Sequence, residues 1–183
     1  MLFQIFSLIL QAITGLVAGA CLMRLYMQWM RVPLSGNPMA PFVFALSNWL
    51  VLPLRRFVPA LGRLDTASLV GAYGAVLVKF VILWLITESA APWLALLLAA
   101  VFELVNSCVS GLTWLIIIYA VLSWVRAGSD IGYFLAQLVE PLLSPIRRVM
   151  PQLGGIDLSP LALLLLLQIA EIVLHNLQMQ LML

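Results

Sequence analysis

The chain has 183 residues, 64% of them hydrophobic and 9% charged, with a formal net charge of +2. Its mean hydropathy of +1.15 excludes an ordinary soluble domain, and so small a positive balance excludes a nucleic-acid binder. Function is therefore to be sought inside or beside a lipid bilayer.

Residues 2–29 are apolar throughout, and about 20 such residues suffice to cross a bilayer as a helix. Gly15 and Gly19, spaced as GxxxG, predict a close-packing face. GLVAGAC, residues 15–21, has a faint likeness to a lipoprotein cleavage box, but no Lys or Arg precedes Arg24, so the segment is expected to be a retained span. Cys21 and Cys108 lie in apolar runs without CxxC or metal-ligand spacing, which points to packing.

Residues 30–66 hold Pro33, Gly36, Asn37, Pro38, Pro41, Pro53 and Pro59 together with Arg31, Arg55, Arg56 and Arg63, a composition that predicts a loop region broken by turns. A second span follows from about Ala67 to Thr87, with Asp65 and Ser68 as caps and Ala67, Gly71 and Ala75 as a small-residue ridge. The apolar run from Pro92 to Val125 would measure about 50 Å as one helix, longer than a hydrocarbon core of about 30 Å. A break is therefore expected, with residues 92–97 at the interface behind Trp93 and a third span from about 97 to 124. A second loop covers residues 125–158, and a fourth span covers about 159–178, with Ser159 as cap and Pro160 in the first turn.

Within the second loop, Ile131, Phe134, Leu135, Leu138, Val139 and Leu142 form one apolar stripe with Gln137 and Glu140 opposite, which predicts a helix lying flat in the interface. The matching segment of the first loop, with Phe42, Phe44, Leu46, Trp49 and Val51, is apolar on more than one face; it is expected to dip deeper or to meet a partner.

The two loops share a string. LPLRRFVPALGRLD, residues 52–65, aligns with SPIRRVMPQLGGID, residues 144–157, pairing Arg55 with Arg147, Arg56 with Arg148, Pro59 with Pro151, Gly62 with Gly154 and Asp65 with Asp157. Each pair is 92 positions apart. The expected fold is all-helical and membrane-embedded: four spans as two parallel tandem hairpin repeats, residues 1–91 and 92–183, with interfacial cytoplasmic helices and loops. The arginine-bearing loops then face the cytoplasm and both termini lie outside. Anionic phosphates are the expected partners of these arginines, at about 1 kcal/mol per basic residue near the surface. Fixing topology would not by itself need the repeated Pro, Gly and Asp. Asp65 and Asp157 are read first as caps of the returning helices, and second as partners of the arginines.

The same offset pairs Lys79 with Glu171, each about 18 Å along its span, near mid-bilayer. An unpaired charge there costs about 2.5–3.5 kcal/mol, and mutual pairing is the simplest relief. Gln168, His175 and Gln178 share a helix face with Glu171; Glu103 and Asn106 stand on the third span and Gln11 on the first. These residues predict a polar strip in the outer half of the hairpins. Structural glue between helices is the first reading, an ion or proton path the second, and a metal or haem site the last, since His175 has no second histidine to join it. No GxSxG, HExxH or P-loop occurs, so neither catalysis nor a cofactor is expected.

With Asn37-Pro38, PLRRFVP followed by Gly62 and Asp65, and EPLLSPIRRVMPQLGGIDLSP at residues 140–160, the chain resembles the YggT family of small bacterial membrane proteins, related to proteins of chloroplasts and cyanobacteria. The first copy departs at Arg63, where the second has Gly155, and at Thr66-Ala67-Ser68, where the second has Leu158-Ser159-Pro160. The resemblance implies a non-enzymatic protein of the bacterial cytoplasmic membrane. Family members are linked to osmotic-stress tolerance and ion uptake, to cell or organelle division, and in plastid relatives to assembly of a haem-bearing cytochrome. An assembly, scaffold or stress-tolerance role through the arginine loops is the expectation, with ion handling along the Lys79 and Glu171 strip as the alternative. The GxxxG and small-residue ridges point to self-association or a membrane-protein partner.

Overall fold

The structure, a computed structural model, describes residues 1–32, 39–59, 62, 64–87, 92–125, 130–149 and 157–182. Among the described residues, six helices follow in the order α1 (Leu2–Trp29), α2 (Ala40–Leu54), α3 (Thr66–Thr87), α4 (Trp93–Val125), α5 (Asp130–Val149) and α6 (Ser159–Met182). Long helices α1, α3, α4 and α6 are apolar enough to cross a membrane. No more than 22% of any span's apolar window is buried within the molecule, so most of that surface needs a non-aqueous neighbour, which a bilayer supplies.

Helix α4 runs unbroken from Trp93, which corrects the expected break near residue 97. No Pro lies inside it, and its one glycine, Gly111, is far from that point, so nothing interrupts the backbone ladder there. Tilting is the usual way for so long a helix to match a thinner hydrocarbon layer.

The first loop region likewise contains a helix where turns were expected. Pro41 sits in the first turn of α2, where a missing N–H is harmless, and Pro53 sits near its end. Ala40, Val43, Ser47 and Val51 form its buried face, packed on α1 and α3, while Phe42 and Trp49 stay exposed. Helix α5 keeps the predicted amphipathic stripe. Phe134, Leu135, Leu138, Val139 and Leu143 are buried, Gln137 and Glu140 are exposed, and Ile131 departs from the stripe by remaining half exposed.

Two cores result. One joins Met27 and Val32 to Leu115 and Ile116 of α4 and to the buried face of α5. The other is built from small residues, including Ala18, Cys21, Ala67, Ala72 and Ala100. The small ridge of α3 lets α2 come close: a Cβ on Gly71 would stand 3.4 Å from side-chain atoms of both Leu50 and Leu54. The GxxxG of α1 is not used this way. A Cβ on Gly15 or Gly19 would meet nothing within 4 Å, and the packed face of α1 includes Thr14, Ala18 and Cys21 instead.

Candidate functional site

Asp65 lies just before α3 and is fully buried. Its Oδ2 accepts a hydrogen bond from Arg55 Nη2 at 2.5 Å and from Ser68 Oγ at 2.8 Å, and Arg24 Nε stands 3.5 Å away. Among the described residues Oδ1 has no hydrogen-bond partner, so one carboxylate oxygen serves all three neighbours. Gly62 adopts φ 62°, the left-handed conformation that a residue without Cβ reaches at little cost, and Thr66 Oγ1 donates to the Pro59 carbonyl at 2.7 Å to close the turn.

Arg24 is a site residue that sequence reasoning missed. Buried near the end of α1, it donates through Nη1 to Asn48 Oδ1 at 2.7 Å and to Ser47 Oγ at 3.2 Å, and its guanidinium lies 4.9 Å from the centroid of the Phe44 ring. The available signal was an arginine inside an otherwise apolar span.

The second loop repeats the link between arginine and aspartate. Arg147 Nε donates to Asp157 Oδ2 at 2.8 Å, Nη1 to Glu140 Oε2 at 2.5 Å and Nη2 to the Tyr119 hydroxyl at 3.4 Å. Asp157 Oδ1 in turn accepts from the backbone N–H and the hydroxyl of Ser159. Asp157 thus caps α6 and pairs with Arg147 at once, so the two sequence readings are complementary rather than alternative. Pro151 and Gly154 lie outside the described residues.

Burial opposes ionisation of Asp65, but hydrogen bonds from Arg55 and Ser68 and the charges of Arg55 and Arg24 outweigh it and hold the carboxyl below its usual range. Asp157 behaves alike: burial is overcome by Ser159 and Arg147. Arg147, despite its own partial burial, is pushed further toward its charged form by Glu140, Tyr119 and Asp157.

Arg56 and Arg148, each next to a paired arginine, are exposed and make no ion pair with the described residues. Adjacent arginines therefore do different things: one is paired with the aspartate of its own loop, and its neighbour is exposed without an ion pair to the described residues.

The polar residues of the spans fall into separate groups rather than one strip. Lys79 is buried and pairs with Glu103 of α4, with its ammonium 4.6 Å from the Phe80 ring centroid. This replaces the expected pairing with Glu171. The reason is packing: α3 rests on α1, α2 and α4, whereas α6 rests on α4 and α5, so equal depth does not bring Lys79 and Glu171 together. Gln168, Glu171 and His175 instead line an open cavity of about 390 Å³ on α6. Gln11 and Asn106 are exposed on α1 and α4, and Gln178 is half-buried on α6.

The CCB3/YggT family model matches residues 3–86 and 98–178. The chain is 38% identical over 165 residues to the YggT protein of Escherichia coli (strain K12), covering 89% of this chain and 85% of that one. It is 34% identical over 168 residues to a Vibrio alginolyticus protein from the proC 3′ region, covering 90% of each, and 32% identical over 175 residues to a Pseudomonas aeruginosa protein, covering 92% of this chain and 87% of the relative. The names of these relatives state no activity. No solved structure matches the chain.

Proposed function

The chain belongs to the CCB3/YggT family, and from that premise we propose that it is a non-enzymatic assembly or scaffolding protein of the bacterial cytoplasmic membrane. It acts through the two arginine-bearing loops on the cytoplasmic side. The observation that carries this reading is the division of labour within each arginine pair. Arg55 and Arg147 are tied to Asp65 and Asp157, while Arg56 and Arg148 are exposed and make no ion pair with the described residues. An exposed cation at the membrane surface, beside an arginine already held by a carboxylate, suits an anionic lipid head group, or an acidic segment of a membrane-bound partner held beside it. Stress tolerance would then follow from the assembly so held.

Ion handling is the weaker reading. Lys79 is engaged by Glu103, and Glu171 lies on α6, which packs on α4 and α5 while Lys79's helix packs on α1, α2 and α4, so the two charges are not partners. The arginine-loop reading is tested by native mass spectrometry of the protein released from bilayers containing phosphatidylglycerol. Arg56→Glu with Arg148→Glu is expected to lose retained phosphatidylglycerol while remaining folded; unchanged retention would sink the reading.

A further inference from the structure

A polar seam along α6 poses a problem that the arginine loops do not touch. Gln168, Glu171, His175 and Gln178 recur at intervals of 3, 4 and 3 along a helix long and apolar enough to span a membrane. Gln168 and His175 are exposed and Glu171 is partly so, and together they border the cavity of about 390 Å³, lined by α6 residues alone. Among the described residues, Gln168, Glu171 and His175 have no hydrogen-bond or ion-pair partner. Facing lipid, Gln168 and Glu171 would be left without partners near mid-bilayer, and His175 one turn further out, where hydrocarbon offers none.

From this seam we infer that α6 is the contact face for a second copy of this chain, packed parallel and two-fold symmetric in the membrane. Three features select a second copy. The spacing of 3, 4 and 3 is that of the two inner positions of a heptad, which places all four side chains along the axis of a left-handed helix pair. Copies inserted by one route share one orientation, so the seam meets itself in register around a closed two-fold axis.

The chemistry is also self-complementary. Glu171 and His175 are one helical turn apart, so Glu171 of each copy lies one turn from the partner's His175, and the contact occurs twice. A carboxyl and an imidazole can hydrogen-bond across such a dry interface either as an ion pair or as neutral groups, because the two forms contain the same number of protons. Gln168 carries both a donor and an acceptor and can pair with the partner's Gln168 at equal depth. Helix α6 packs within its own chain on α4 and α5 through Leu163, Leu164 and Leu167, and the seam runs along the edge of that stripe, with Gln168 and His175 exposed and Glu171 half-buried. The inference is independent of the arginine-loop reading and could hold if that reading failed.

The test is single-molecule photobleaching of the labelled full chain in liposomes over a range of protein densities. Wild type is expected to form dimers. Glu171→His alone and His175→Glu alone should each weaken association at least about tenfold, since both crossed contacts between positions 171 and 175 then join like groups, and the double exchange should restore the carboxyl–imidazole match. A triple change, Gln168→Leu with Glu171→Leu and His175→Leu, should fold at least as well in lipid and yet lose the same association. Three results would overturn the proposal: a wild type that stays monomeric at every density, a triple variant that dimerises as wild type does, or single variants whose loss the double exchange does not repair. The exchange also separates self-pairing from an unrelated partner, which it would leave mismatched.

Discussion

At Asp65 and Asp157 the same pairing has different consequences because the surroundings differ. Asp65 is fully buried beside Arg24, whose side chain is only 8% exposed, so Asp65→Asn would strand a buried cation. A loss of about 3–5 kcal/mol is expected, read as a fall in the thermal melting of the detergent-solubilised protein. Asp157 is 31% exposed and partly solvent-screened, and Asp157→Asn should lose only about 1 kcal/mol, mostly as a weakened cap. Both carboxyls are held below their usual range, so both contribute stability that is complete above the unfolded value near 3.9. That contribution is lost as pH falls through the lower folded values. Melting temperature should therefore be nearly level from about pH 7 to pH 5 and drop below about pH 4, a drop that Asp65→Asn should blunt. The partnership of Arg55 with Asp65 was legible in the repeated string. Arg24 was not, because a lone arginine at a span end reads first as a topology signal, and its partners Ser47 and Asn48 come from a helix 23 and 24 residues further along.

Among the elements, α2 depends most on a single small residue. Gly71 allows Leu50 and Leu54 to rest on α3; Ala there would be met by flexible side-chain ends, but Gly71→Leu would push α2 away. A destabilisation of about 1–3 kcal/mol is expected, with proteolysis of the loop between α1 and α2 speeding up as a second readout. The helical spans were legible from the length of their apolar runs, and the amphipathic α5 from periodicity. The unbroken α4 was not: the expected break came from bilayer thickness, which a helix can satisfy by tilting, rather than from any residue able to bend it. Helix α2 was obscured by its prolines, which read as loop until their positions, one in the first turn and one near the end, are known.

At the scale of the molecule, the order of a long helix, a shorter one and a long one occurs twice, and the halves meet chiefly where α4 packs on α3 and α1. Lys79 and Glu103 tie that junction, and Tyr26 adds a second tie by donating to the Leu138 carbonyl at 2.6 Å. Lys79→Met alone should lower stability by about 3 kcal/mol by leaving Glu103 unpaired, while Lys79→Met with Glu103→Leu should regain most of it. If Lys79 instead paired with Glu171, removing Glu103 would not rescue Lys79→Met. Which polar groups of the spans meet was not legible from the shared offset of 92, because the offset reports equivalent depth, whereas pairing depends on which helices are neighbours.

On the proposed reading, neighbouring arginines divide their work: Arg55 and Arg147 hold the loop aspartates, and Arg56 and Arg148 meet the membrane surface. The most direct measurement is a crossed comparison of Arg55→Gln with Arg147→Gln against Arg56→Gln with Arg148→Gln, scoring melting temperature and retained phosphatidylglycerol on the same samples. The first pair should lose melting temperature, and the second should keep it and lose lipid. Equal effects of the two pairs on both readouts would contradict that reading.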